Sequence, residues 1–342
     1  MQPLIKARGL RRPDGVLKQQ TSLIPCTFLV LVLCFLLVAS IFSASVRCPS
    51  KDADALQVRT HPVWARLPSN LQEFDCVNSP QAAPVFAHRV EGVKYPFFIS
   101  IADLGSPDKP NRNFQRMIKG KLFQKPAISE TVQKVLEKLK AHTFRGESLL
   151  VVDVGANVGM AAFAAAAMDV RVIAFEPVLE NVLRVCDGLY LNRASQLVKV
   201  YHTAVSDVPG NITLHKVMGR LDNSAVSASG AKLAFQSNKV IPFTVSTVTL
   251  DSVIPDNLAV SLLKVDVQGW ELHVLKGATK LLSRPAARAP YLIYEENERL
   301  LQESNSTSQQ ILSFLHIVGY SFCKNIGGDR HCSKEPDILR SL

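Results

Sequence analysis

The 342-residue sequence lacks several common signatures, and each absence removes a class of function. No CxxC pair and no His/Cys cluster falls at zinc-ligand spacing, which argues against a zinc module. No Gly-rich loop ends in Gly-Lys-Ser or Gly-Lys-Thr, so a nucleotide-triphosphate loop is missing. There is no internal repeat. Nor is there a dense basic run interleaved with aromatics, so a nucleic-acid partner is not expected despite the formal net charge of +10. Part of that charge sits in the first 20 residues, where Lys6, Arg8, Arg11, Arg12 and Lys18 face Asp14 alone. What remains is thinly spread. With 47% apolar and 20% charged residues, the composition is that of a globular protein.

The basic tail, 1–21, precedes SLIPCTFLVLVLCFLLVASIFSASV, residues 22–46, an uncharged run dominated by Leu, Val, Phe and Ile. A helix of roughly 20 such residues spans a bilayer core. The positive tail then stays cytosolic and the rest of the chain enters the lumen, as a single-pass type II protein. An uncleaved signal anchor is preferred because the run is long for a signal peptide. Cleavage at the small residues Ser43, Ala44 and Ser45 is the alternative. Asn211-Ile-Thr213 and Asn305-Ser-Thr307 are glycosylation acceptors consistent with a lumenal domain. Cys26 and Cys34 fall in the anchor. Cys323 and Cys332 flank KNIGGDRH, a loop short enough to close with a disulfide. Cys48 pairs with Cys76 in this reading, and Cys186 is a core thiol.

Residues 47–120 read as a stem and accessory segment and 121–342 as the main domain. Residues 47–84 suggest a loosely ordered linker, 85–101 a hairpin turning at Glu91-Gly92, and 105–113 a turn-rich break. SETVQKVLEKLKAH has Val132, Val135, Leu136 and Leu139 at helical spacing, with Ser129 as its cap. Strands are expected at 149–154, 171–176, 197–204, 261–267 and 291–295. Helices are expected at 157–168, 179–193, 270–282 and 308–318. This alternation predicts an open, mostly parallel α/β sheet with helices on both faces. Between 207 and 258, NITLHKV and KVIPFTVSTVTL read as inserted antiparallel strands, with 223–230 as a mobile loop.

In such sheets ligands bind beyond the carboxyl ends of the strands. Asp153 ends the first strand, and Gly155 and Gly159 allow the following turn to approach a ligand. The start of the next helix offers free N–H groups to an anion. Glu176 ends the second strand, about 20 residues later, where an acid binds ribose hydroxyls. Asn157 stands where a dinucleotide-binding loop has its second Gly, so the expected ligand is a nucleoside without pyrophosphate. S-adenosylmethionine fits that description. A Rossmann-type NAD or nucleotide-sugar enzyme and a non-catalytic lumenal binding module are the alternatives.

The motifs VDVGANVG, FEP with Asn181 five residues on, AVSD at 204–207, TLDS, KVDVQGWELHVLKGA and YEEN follow in order across 148–325. In this set the chain resembles the FkbM-type methyltransferases. The resemblance implies the class I methyltransferase (Rossmann-like) fold, S-adenosylmethionine as donor, and transfer to a hydroxyl. It implies that Asp153, Gly155, Asn157 and Gly159 shape the methionine end and that Glu176 holds the ribose. Ser206 and Asp207 would lie beside adenine, and Asp266 near the sulfonium and the acceptor. Gln268 departs from the Glu that family members often carry. A hydroxyl acceptor needs a general base, for which Asp266, Glu271 and Glu295 are the candidates. His273 reads as structural. No metal is assigned, although Asp266 with Glu296 and Asn297 resembles a magnesium ligand set of catechol-type methyltransferases. The acceptor expected from compartment and chemistry is a glycan or glycoconjugate in the Golgi, with 207–258 and 85–125 as its walls.

Overall fold

The computed structural model describes residues 64–79, 85–101, 110, 115–116, 118–120, 127–142, 148–233 and 239–340. The basic tail, the apolar run 22–46 and Cys48 lie outside them. Among the described residues no helix is long and apolar enough to cross a membrane.

The domain opens with a hairpin, β1 (Ala87–Val90) and β2 (Phe97–Ser100), and helix α1 (Ala127–His142). Then come β3 (Leu150–Val154), α2 (Met160–Ala166), β4 (Arg171–Phe175), α3 (Leu179–Leu191) and β5 (Val198–Tyr201). The inserted segment holds β6 (Ala204–Val205), β7 (Gly210–Val217), β8 (Arg220–Ala225), α4 (Ala228–Lys232) and β9 (Val240–Val248). The second half carries α5 (Leu250–Val253), β10 (Leu262–Val265), α6 (Glu271–Lys276), α7 (Thr279–Leu282) and β11 (Tyr291–Glu295). It ends in α8 (Glu298–Glu303), α9 (Ser308–Ile317), β12 (Phe322–Ile326), β13 (Asp329–Ser333) and α10 (Pro336–Arg340).

Near-continuous apolar runs such as LVVDV and RVIAF mark strands covered on both faces. The main sheet has seven strands in the order β12-β13-β11-β10-β3-β4-β5. Its five central and outer strands from β11 to β5 pair in parallel, and the β12–β13 hairpin adds antiparallel to β11. Side chains alternate about this sheet. Val151, Val172 and Val198 face α1, α2, α3 and the β1–β2 hairpin, whereas Val152, Ile173 and Leu263 face α5 to α9. The chain runs outward from β3 to β4 and β5, then returns to the other side of β3 with β10. The order therefore reverses between β3 and β10, and the crevice beyond their carboxyl ends is the place for a ligand.

The inserted strands form a second sheet, β6-β9-β7-β8, antiparallel between β7 and β9 as expected. Residues 223–230 are not a loop. They contribute the end of β8 and the start of α4, where the Ser227 side chain caps the helix by accepting from the Gly230 N–H. The helix expected over 270–282 breaks after Lys276. At Gly277 the backbone of Ser206 comes so close that an added Cβ would lie 2.0 Å from its carbonyl oxygen. The Gly277 carbonyl accepts from Asp251 N–H, and the Asp251 carboxylate accepts from the N–H groups of Lys280 and Leu281, restarting the helix as α7.

Two cysteine expectations are corrected and one stands. Cys323 and Cys332 are bonded, facing each other across β12 and β13. Cys76 is bonded to Cys186, not paired with Cys48, and Cys186 is accordingly no free thiol. The last part of the expected linker is therefore fixed. Phe74 N–H donates to Val200 O at 2.8 Å along the outer edge of β5, and Glu73 pairs with Lys199. This covers an edge strand that would otherwise expose its backbone.

Candidate functional site

The crevice at the switch point is built first from backbone. Gly155 follows β3 at φ +77°, and a Cβ there would sit 1.9 Å from the Asp266 carbonyl oxygen. Only glycine lets these two strand-end loops touch. Asn157 is also left-handed, at φ 52°. That conformation aims its N–H at Glu176 Oε2, 2.7 Å away. The other carboxylate oxygen accepts from Val178 N–H at 3.0 Å and from Asn181 Nδ2 at 3.2 Å. Burial nevertheless dominates and raises the Glu176 pKa against the pull of these donors and of Lys264. Gly159 caps α2 and packs over the Phe163 ring, away from the crevice wall.

Beneath this floor lies an ion pair that the motifs alone do not reveal. Lys264 stands opposite Asp153 in the β10–β3 register. Its Nζ is 3.1 Å from Asp153 Oδ1, off the line of a hydrogen bond, and donates to Gly155 O at 2.7 Å. It also lies 3.8 Å from Asp266 Oδ2. Burial opposes the ammonium, but Asp153 and Asp266 outweigh it and hold the pKa above that of a free lysine. Asp153 is fully buried and does not line the crevice. The structure places it beneath the floor, as the counter-ion of the lysine that grips the glycine turn.

One wall is Trp270, held by a closed set of contacts. Its indole N–H donates to Ser206 Oγ at 3.0 Å, and Ser206 donates to Asp207 at 2.9 Å. Asp207 meets His273 Nδ1 at 3.0 Å, and the His273 ring stacks on Trp270 with centroids 3.7 Å apart. Burial raises the Asp207 pKa, but the hydrogen bonds from His273 and Ser206 outweigh it and leave it lowered. Ser206 and Asp207 thus stand behind the wall. Thr203, Ala204 and Val205 line it in their place, beside Phe175 and Val178. The roof comes from the inserted sheet, through Ile212, Leu214, Leu221, Ser224 and Val226. Together these surfaces bound a cleft of about 680 Å³, open solvent at its mouth included.

At the mouth, the Gln268 side chain joins two carboxylates. Gln268 is left-handed at φ 53°, and its Nε2 donates to Asp266 Oδ1 at 3.0 Å and Glu295 Oε2 at 2.8 Å. Asp266 lines the cleft with its side chain 43% exposed. Burial first, then Asp266 and Glu271, push the Glu295 carboxyl well above the usual range. Glu271, expected as a possible base, does not line the cleft. Its Oε1 accepts from the N–H groups of Val267 and Gly269, clamping the turn, and burial lifts its pKa to about 7. The magnesium-like set is not assembled either. Glu296 is bound by Arg330 at 2.5 Å, and the Asn297 side chain caps α8. No group of three His, Cys, Asp or Glu side chains that could hold a metal ion occurs among the described residues.

Gly155, Asn157, Glu176 and Asp266 are therefore brought together, with Glu295 adjoining. Lys264, Gln268, Asn181 and Trp270 were missed as site residues. A lysine inside the otherwise apolar SLLKV strand was a usable signal, because lysine is almost never buried unpaired. Asn181 had one too, five residues after Glu176 in the first turn of α3.

These residues suit an adenosyl donor. The glycine turn brings Gly155 and Asn157 to the floor of the cleft, beside Glu176. Asn181, 2% exposed, lines the cleft with its Oδ1 unpartnered among the described residues. Residues 153–322 match the family described as methyltransferase FkbM domain. A comparison with curated proteins gives no match. Among solved structures, the N-terminal domain of human METTL16 in complex with SAH matches at 10% identity and TM-score 0.36, over 62% of this chain and 72% of that one. Monomeric WbdD matches at 14% identity and TM-score 0.35, over 64% of this chain but only 44% of its own. Precorrin-6y C5,15-methyltransferase from Geobacter metallireducens GS-15 matches at 12% identity and TM-score 0.28, over 58% and 85%. Through its domain over 153–322 the chain belongs to the FkbM methyltransferase family, and its cofactor is S-adenosylmethionine.

Proposed function

We propose that this chain O-methylates a hydroxyl of a glycan or glycoconjugate in the Golgi lumen, held to the membrane by residues 22–46. The observation that carries the chemistry is the Asp266–Gln268–Glu295 arrangement at the mouth of the donor cleft. S-adenosylmethionine supplies a methyl group already joined to a good leaving group. The protein's part is alignment and removal of one proton. Gln268 fixes the Asp266 carboxylate by donating to Oδ1, and Asp266 accepts the proton of the acceptor hydroxyl. Glu295, raised by burial and by Asp266, keeps its own proton at neutral pH and so does not compete as base. Gly155, Asn157 and Glu176 hold the donor, with Lys264 and Asp153 stiffening the floor beneath it.

The compartment is supported by several features. Disulfides Cys76–Cys186 and Cys323–Cys332 belong in an oxidising space. Asn211 and Asn305, the two acceptor asparagines, are exposed. The basic tail precedes the apolar run, which orients the domain away from the cytosol. The reading is tested by giving the full chain, in membranes, methyl-labelled donor and fractionated Golgi glycans. The expected result is label in base-stable sugar methyl ethers, lost with Asp266→Asn. Label confined to esters or amines, or methyl ether formation undiminished by Asp266→Asn, would contradict it.

A further inference from the structure

The roof of the cleft is held to the domain differently from the floor. Its buried apolar residues form clusters of their own, around Leu214 and around Val217. Among the described residues these stay separate from the two clusters that pack on the main sheet. The attachment is narrow. The chain enters the roof through β6 and leaves it at the end of β9, and these short stretches pair at Ala204–Thr247 and Val205–Val248. Thr203 Oγ1 donates to Ser246 O at 2.8 Å, and the close approach of Gly277 to Ser206 seats this stalk against the end of α6. Away from the stalk, polar side chains tie the roof down. On one flank the Glu303 carboxylate, at the end of α8, accepts from Ser227 Oγ at 3.1 Å and from Ser229 Oγ of α4. On the other, Lys216 of β7 donates to Glu180 in the first turn of α3. Helix α3 packs on one face of the main sheet and α8 on the other, so the two ties straddle the cleft. Partly exposed ties of this kind open at far lower cost than merged apolar cores.

Resting on the donor assignment above, we infer that the inserted sheet is a lid that swings on the β6–β9 stalk, with Glu303, Ser227 and Ser229 as its main latch. Leu214, Leu221 and Val226 cover the cleft that Glu176 and Val178 line from the other side, so lifting the sheet uncovers the donor seat. The donor enters and its product leaves when the lid lifts, whereas the acceptor reaches Asp266 through the mouth. Glu303 is the stronger tie because one carboxylate accepts from two hydroxyls. Lys216–Glu180 is an ordinary surface pair and adds less.

Uptake and release of labelled S-adenosylhomocysteine by the full chain in detergent distinguish a latch from a damaged site. Where lid opening limits both passages, Glu303→Ala raises both rate constants together, each by about fivefold to tenfold, and leaves Kd nearly unchanged. Lys216→Met does the same by about twofold. Faster release without faster uptake in Glu303→Ala would show a side chain that merely supports the site, and would overturn the inference. So would no change in either rate. A covalent latch gives the converse result. A Cβ added at Gly230 lies 3.5 Å from Glu303 Cβ, within the span of a disulfide. Gly230→Cys with Glu303→Cys makes that bond, and Ser227→Ala removes the hydroxyl 2.7 Å from the new Cβ. Oxidised with labelled ligand inside, this variant should release it about tenfold or more slowly than the unaltered protein does. Undiminished release, with the cross-link verified by mass spectrometry, would overturn the lid whatever the single variants do. Failure of the unaltered protein to bind S-adenosylhomocysteine at all would instead remove the donor assignment, and this inference with it.

Discussion

The floor of the cleft and its roof are made by different means. The floor is a matter of backbone. Gly155 touches the Asp266 carbonyl, Asn157 and Gln268 hold left-handed conformations, and an ion pair lies underneath. The roof is side chains on a separate small sheet. Among the described residues, its buried apolar clusters are Ala204, Leu214 and Val245, and Val217, Ala225 and Ala231. A site built from backbone has almost no freedom to change, because each contact depends on a particular φ or a missing Cβ. A wall built from apolar side chains can vary in size and shape at modest cost. The common donor belongs to the first kind of surface, and discrimination among acceptors belongs to the second and to the mouth.

This contrast breaks first at Gly155. Gly155→Ala must move either β3 or β10, so we expect a loss of about 3 kcal/mol or more and a thermal midpoint roughly 10 °C lower. Unchanged melting would show that the two strand-end loops are free to separate. Next is Lys264→Met, which strands Asp153 as an unpaired buried charge and should cost about 3 kcal/mol in denaturant titrations. Adding Asp153→Asn to that variant should recover most of the loss. If it does not, the pair is not what supports the floor.

The floor should also respond to pH. Glu271 has its folded-state pKa raised by burial to about 7, above its unfolded value, and burial also raises Asp329, to about 6. The folded protein therefore binds more protons between about pH 4.5 and 7, and stability contributed below that window is lost as pH rises through it. From pH 5.5 to 7.5 Glu271 alone should remove about 2 kcal/mol. Melting curves should show this slope, and Glu271→Gln should flatten it. A roof substitution has the smallest expected effect. Leu214→Ala borders the cleft on one side, so about 1 kcal/mol is expected, together with altered acceptor preference and nearly constant donor affinity. A loss as large as that of Gly155→Ala would erase the distinction between the two surfaces.

The same contrast explains what the sequence revealed. Apolar runs and glycine spacing identified the five parallel strands, the hairpin at 85–101 and the Gly155–Glu176 floor. These features depend on local pattern and backbone need. Contacts across the sheet were invisible. Asp153 looked like a lining residue because Lys264, its neighbour on the adjacent strand, becomes its partner only through strand register. Glu271 looked like a free acid because its task is to bind N–H groups of its own turn. The break at Gly277 was hidden for a similar reason, since it answers to Asp251 and Ser206, more than 20 and 70 residues away. Cys76 could not be matched to Cys186 without knowing that residues 73–76 run beside β5.

The central claim is that Glu176 and its three donors make the crevice beyond the carboxyl ends of β10, β3 and β4 a seat for an adenosyl ligand. Calorimetry of the full chain with S-adenosylhomocysteine, beside NAD and a Glu176→Ala variant, tests it most directly. The account predicts one saturable site for S-adenosylhomocysteine, none for NAD, and affinity about tenfold or more weaker in Glu176→Ala. Binding that survives that substitution unchanged, or NAD binding in preference, would contradict it.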